Sequence, residues 1–350
     1  MLPLSTLLSQ TLVAFTIEAD CEFEQRMPHS TTVGREPGGA ARRRGPWLIS
    51  MAFWSMCLAH VPPEGTTAGE VIERGFLEDT FLLGTNPGMV RWGYLRLDPG
   101  DSTLKRPNKS WLVRLRPAGR RAQQTWAPIP HLIEQRWCTR WPSVTELRPA
   151  LEELVGRFDC ALPDYVPVNA AQRSRISIPS RPPVPVKGAD LSSLLAKALV
   201  QFAIEVEQVS PLPLVHAANV GRVLRDGPVT LRDLPHATGV AKETLAVMVG
   251  ILEKTRMVAR EGPKAVALTT NGHAAAATTF AAVAEVEDRW GAVELREVLE
   301  PLVSDGTLAG SPLRLAVDPP KGTWRANRPP PATLPHHPVV SHRGGYPDGS

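Results

Sequence analysis

The chain has 350 residues, 43% of them hydrophobic and 21% charged, with a net charge of +4. That length suits two or three domains, and that composition excludes a wholly disordered or fibrous chain. Mild basicity permits a nucleic-acid partner without demanding one; no apolar run reaches the roughly 18–20 residues of a membrane span, so a soluble, cytoplasmic protein without a membrane partner is expected.

Leu4, Leu8, Leu12, Phe15, Ala19 and Phe23 recur at spacings of three and four, which predicts an amphipathic helix with one buried stripe. A loop rich in Gly, Ser, Thr and Pro follows, with the basic run Arg42-Arg43-Arg44, and then an all-round apolar helix over Trp47–Ala59. A short helix is expected over Thr67–Glu73. Beyond it, Gly84, Pro87 and Gly88 prevent a long helix, and Asn86 as N-cap predicts only a short one to Trp92. Tyr94–Leu97 and Trp111–Leu115 read as strands, and the segments after Pro117 as helices broken near Pro128 and Pro130. Six prolines within Ala161–Ala189 predict an extended linker.

After the linker, Leu191–Val209 is a second amphipathic helix and Pro213–Leu224 a third. Thr230–His236 reads as a short helix with Thr230 as N-cap, Thr238-Gly239 as a turn, and Ala241–Thr255 as a helix burying Leu245, Met248, Val249 and Leu252. Met257–Arg260 and Ala265–Thr269 are strands around Glu261–Lys264. Helix, turn, helix, then strand, loop, strand is the winged-helix plan. A long Ala-rich helix to Trp290 and another over Leu295–Val303 follow. From Ser311 the Pro- and His-rich composition predicts a loosely ordered tail.

The two halves share an ordered set of matches. LVAFTIE from Leu12 parallels LVQFAIE from Leu199, and GMVRWGYLRLDPG from Gly88 parallels GILEKTRMVAREG from Gly250. VRLRPAG ending at Gly119 parallels VALTTNG ending at Gly272. IEQRW from Ile133 parallels VEDRW from Val286, and LRPALEEL from Leu147 parallels LREVLEPL from Leu295. Such a long period means a duplicated domain rather than a solenoid. With the step Leu268-Thr269-x-x-Gly272, the chain resembles the MarR-type winged-helix regulators over about 4–158 and 191–303. The resemblance implies a mainly α fold with small β wings, two tandem winged helix-turn-helix domains forming a pseudo-dimer, and transcription regulation on double-stranded DNA. It also implies a crevice for a small aromatic effector between the DNA module and the dimer helices, for which Trp54 and Trp126 are candidate lining. The expected division is a first domain over 1–160, a linker over 161–190, a second domain over 191–304 and a tail over 305–350. A monomeric pseudo-dimer and a homodimer both fit.

Candidate DNA contacts follow from the helical wheel and the wings. Lys242, Thr244, Ala246, Val247 and Lys254 lie along the second helix, with Arg260 and Lys264 on its wing. In the first half the candidates are Arg91, Lys105 and Arg106, beside the acids Glu78 and Asp79. A solvated face that binds protein instead remains the alternative, favoured by Glu243 and Val247. A tandem winged-helix DNA glycosylase is more remote, because Gln123 and Gln124 are adjacent rather than spaced. No GxSxG, GxGxxG or Walker loop occurs, so no enzyme and no cofactor is expected. Cys21, Cys57, Cys138 and Cys160 lack zinc spacing, and the histidines are scattered, with His336, His337 and His342 assigned to a flexible tail.

Overall fold

The computed structural model describes residues 1–27, 49–85, 87–100, 106–167, 176, 178–179, 181–328, 331–340 and 345–350. In the first half α1 (Leu4–Arg26) is followed by α2 (Met51–Met56), strand β1 (Thr66–Thr67) and three short helices, α3 (Ala68–Arg74), α4 (Asp79–Leu83) and α5 (Gly88–Arg91). The hairpin β2 (Leu95–Asp98) and β3 (Leu112–Leu115) leads to α6 (Pro117–Trp126), α7 (Ile129–Arg140) and α8 (Leu147–Gly156). In the second half α9 (Leu191–Val209) precedes α10 (Leu214–His216), which runs through a π turn (Ala217–Gly221) into α11 (Arg222–Leu224). Then come β4 (Val229–Thr230), α12 (Leu234–Thr238), α13 (Lys242–Lys254), the hairpin β5 (Val258–Glu261) and β6 (Ala265–Leu268), α14 (Thr270–Trp290) and α15 (Val293–Val303). The short α16 (Arg314–Val317) lies in the C-terminal segment. The protein is therefore mainly helical with two small antiparallel sheets, of order β1-β3-β2 and β4-β6-β5. Among the described residues no helix is long and apolar enough to cross a membrane.

Local rules explain several boundaries. Thr67 and Glu70 form a reciprocal capping box at the start of α3, which satisfies two otherwise orphaned amides. Pro130 does not break α7, because it lies in the first turn, where its missing N–H is not needed. Thr230 is not the N-cap of a helix beginning beside it. It pairs with Ala265 in the sheet, and its hydroxyl donates to the Asp233 carboxylate at 2.6 Å and accepts from the Asp233 amide at 3.2 Å, which caps the turn at 231–233; α12 itself starts only at Leu234. Asn86 and Trp47 lie outside the described residues.

Several of the paralleled sequence segments make equivalent contacts. Leu95 faces Leu115 across the first hairpin, and Val258 faces Leu268 across the second. This register makes Tyr94 the counterpart of Met257, one residue off the spacing that the sequence parallel implies. Tyr94 and Met257 each lend a carbonyl oxygen to the amide leading into the next helix, Arg116 at 2.9 Å and Thr269 at 3.0 Å. Glu18 accepts from Arg136 and the Trp137 indole, and Glu205 from Arg289 and the Trp290 indole. Phe15 meets Trp137 edge-on at 5.2 Å, as Phe202 meets Trp290 at 5.1 Å.

A second pair of contacts crosses between the halves. Arg148 of α8 binds Glu134 and donates to the carbonyl of Ala189, just ahead of α9. Arg296 of α15 binds Glu287 and donates to the carbonyl of Leu2, just ahead of α1. Each late helix thus grips the entry of the other half's first helix, and α1 and α9 pack on each other at the centre. Tyr165 of the predicted linker is fully buried, with its hydroxyl 2.8 Å from that of Thr16, so this part of the linker is packed on α1.

Two expectations need correction. First, α1 does not bury one stripe: every residue from Leu4 to Cys21 is buried, polar ones included. Helices from both halves surround it, and its remaining polar side is covered by the C-terminal segment. Second, that segment is not loosely ordered over the described residues. His336 and His337 are buried, as are Leu334, Val339, Val340 and Tyr346. His342 lies outside the described residues.

Around α1 and the C-terminal segment sits a group of buried charges. Asp348 is clasped by Arg325 at 2.6 and 3.2 Å; burial opposes its ionisation, but the guanidinium holds its carboxyl down at about 2. Asp20 accepts from the amide of Met51, and burial pushes its carboxyl well above the usual range. Glu24, 2% exposed, accepts from the Trp324 amide through one oxygen, and burial raises it to about 7. A folded-state value above the unfolded one means that the folded protein binds this proton more tightly. Glu24 therefore costs stability progressively as pH rises from 4.5 through 7. His336 and His337, lowered by burial to about 3 and 4, act in the opposite sense and cost stability as pH falls below 6.5. Glu24→Gln is isosteric and removes only the first effect. Its Tm minus that of the wild type should be more positive at pH 8 than at pH 5, by the equivalent of about 1–2 kcal/mol after allowance for solvent screening. Calorimetry at the two pH values reads this directly, and an equal difference at both would contradict it.

Candidate nucleic-acid interface

Helix α13 buries Leu245, Met248, Val249 and Leu252 against the core, as its 3.6-residue period requires. The turn before it needs Gly239, whose φ of 71° is left-handed and whose position would bring a Cβ within 2.3 Å of the Thr333 carbonyl. Opposite the core, Lys242, Glu243, Ala246 and Lys254 are exposed and Val247 is 45% exposed. Gly250 lies between them with open space where a side chain would stand. The outer face is thus smooth, small-sided and bordered by lysines.

The second hairpin extends this surface. Arg260 and Lys264 are both exposed, but Arg260 is ion-paired with Glu253 of α13. Among the described residues Lys242, Lys254 and Lys264 have no acidic partner. Arg232, exposed in the turn leading into α12, adds a cation that the helical wheel of α13 alone does not reveal. Its position in the first helix of the predicted helix-turn-helix was the available signal.

Thr244 does not belong to the open face. It is 3% exposed, and its hydroxyl donates to the carbonyl of Gly349 at 2.5 Å. At roughly 100° per residue Thr244 lies on the flank of α13 rather than on its outer side, and the C-terminal segment covers that flank.

The first half differs in both helix and charge. Its pre-hairpin helix α5 has a single turn, and Arg91 is exposed there, 5.9 Å over the Trp92 ring. Arg106 is exposed; Lys105 lies outside the described residues. Three other cations at this hairpin are matched by acids. Arg96 and Arg114 share Asp98 at 3.1 and 3.2 Å, and Lys109 reaches Asp79 at 3.0 Å.

The crevice between α1 and the α12–α13 pair is filled by the described parts of the C-terminal segment. Trp54 and Trp126 do not line an open cavity, since they stack on each other at 5.9 Å and Trp126 stacks on Phe23 at 4.6 Å. Among the described residues no group of three or more His, Cys, Asp or Glu side chains could hold a metal ion. All four cysteines are free, and burial pushes the thiols of Cys21 and Cys57 up to about 12, far from a reactive thiolate. Comparison of the chain with family models, with curated proteins and with solved structures finds no match.

Proposed function

We propose that the chain is a single-chain pseudo-dimer of two winged helix-turn-helix domains that binds double-stranded DNA, chiefly through its second half, as a transcription regulator. The duplication is supported by the equal strand order and register of the two sheets, and by the Glu18–Arg136–Trp137 and Glu205–Arg289–Trp290 groups. The observation that carries the DNA reading is the open face of α13 and its hairpin, where the exposed Lys242, Lys254 and Lys264 form no ion pair among the described residues. Lysines so placed suit phosphates, and the small Ala246 and Gly250 let the helix approach a groove closely.

The test is a salt titration of binding to duplex DNA by fluorescence anisotropy. Lys242→Ala with Lys264→Ala should weaken binding on the order of tenfold or more and flatten log K against log salt by about two units, one per lost phosphate contact. Replacing Lys105 and Arg106 should do less, because a hairpin contact without a docked helix positions but does not specify. Equal losses would remove the asymmetry. Exposed Val247 and acidic Glu243 favour a second reading, a scaffold that docks another protein on α13. Absence of DNA binding at low salt by the wild type would favour that reading.

A further inference from the structure

Composition alone makes the C-terminal segment a poor candidate for order, yet its main chain is read by a set of side chains. Gln10 donates to the Leu334 carbonyl at 3.0 Å and to the Thr333 hydroxyl at 2.9 Å, and Ser9 donates to the Pro335 carbonyl at 2.8 Å. Thr6 and the His336 ring hydrogen-bond at 3.2 Å. From the other wall Asn219 accepts from the amides of His336 and His337 at 3.0 and 3.3 Å, and donates to the His337 carbonyl at 2.8 Å. Asn219 is fully buried and sits in the π turn between α10 and α11. Such turns mark places where a helix is distorted to present a side chain. The Thr333 carbonyl presses on Gly239, where no Cβ would fit. Farther along, the Asp348 carbonyl accepts from Ala241 and the Gly349 carbonyl from Thr244, both at the start of α13.

This is how proteins bind an extended peptide: fixed polar side chains satisfy its backbone while pockets take its side chains. We propose that the groove between α1, the π turn and the α12–α13 pair is a peptide-binding site occupied in cis by residues 333–340, and that these residues, with 345–349 tied to them through the Val339 amide on the Pro347 carbonyl, form a strap that fixes the pose of α12–α13. Opening the strap unfastens the first turn of α13 while the α1–α9 centre stays closed. The significance of that pose for DNA rests on the proposed function; the mechanics of the strap do not.

The test is hydrogen exchange, read by mass spectrometry on the full chain with Asn219→Ala. That substitution removes three hydrogen bonds to the strap at one position. Exchange over 333–340 should accelerate on the order of 100-fold, and over 241–245 on the order of tenfold, with the centres of α1 and α9 unchanged. Unchanged exchange over 333–340, or equal acceleration throughout the chain including α1, would overturn the proposal. If the variant does not fold, the wild type in sub-denaturing urea serves instead. There the strap and 241–245 should open at lower urea than α1, and a single common transition would overturn it. In the DNA titration Asn219→Ala should change affinity at least fivefold with an unaltered salt slope, since the phosphate contacts are the same. Absence of DNA binding by both proteins would remove the DNA reading and leave the strap judged by exchange.

Discussion

Gly119→Ala and Gly272→Ala are each expected to destabilise the protein by about 3 kcal/mol, at the upper end of overpacking costs. A Cβ on Gly119 would stand 2.1 Å from the Tyr94 carbonyl oxygen, and one on Gly272 would stand 1.9 Å from that of Met257. Neither oxygen is free to move. Each is the acceptor that joins the hairpin to the following helix, for Arg116 and Thr269 respectively. Both glycines occupy the third position of that helix, so the same close approach of helix to strand is built twice. Gly250→Ala is the control. It has nothing within 4 Å of its added methyl, and within α13 it should stabilise by about 0.5–1 kcal/mol. Urea melts of the three variants check this; a mild effect at either Gly119 or Gly272 would mean that the two junctions are not equivalent.

Glu18→Ala should cost about 3 kcal/mol, and Glu205→Ala only about 1 kcal/mol. The Glu18 side chain is 8% exposed and accepts from Arg136, from both terminal nitrogens of Arg140, and from the Trp137 indole at 2.8 Å. Removing it leaves a buried indole N–H and two partly buried guanidinium groups without their shared anion. Glu205 serves one arginine, itself mostly exposed, the Trp290 indole at 3.1 Å and the neutral Gln201 amide at 2.9 Å. Water can replace more of what it supplies. Chemical denaturation of both variants gives the ranking directly, and a reversed order would show that the second site is the stronger anchor of the central helices.

Repetition was the legible part of this protein. Segments such as IEQRW and VEDRW carry the residues that pair with Glu18 and Glu205, and because paired residues recur in the same order, their contacts recur too. The helix-turn-helix and hairpin of the second half were readable for a local reason: a 3.6-residue period, a left-handed glycine and alternating strand positions act within one turn or one hairpin. The outward side of α13 was legible to the same extent, since a helical wheel places Lys242, Ala246 and Val247 there and all three are exposed.

What local pattern could not decide was what lies against each face. Thr6, Ser9 and Gln10 look like the solvent side of an amphipathic helix, but in the fold they hydrogen-bond to the His336 ring and to the Pro335 and Leu334 carbonyls, more than 300 residues away in sequence. Hydrogen bonds to main-chain carbonyls and amides leave no compositional trace in the Pro- and His-rich segment that supplies them. For the same reason Thr244, polar and on a helix flank, read as a DNA contact although Gly349 covers it. Most of the elements, the recurring contacts around Glu18 and Glu205 and the outward side of α13 could be read from the chain, because all are set by interactions along it or beside it. That α1 is enclosed on every side and that the C-terminal segment ties α13 to it could be read only from the fold, because burial and long-range backbone pairing depend on which distant surfaces meet.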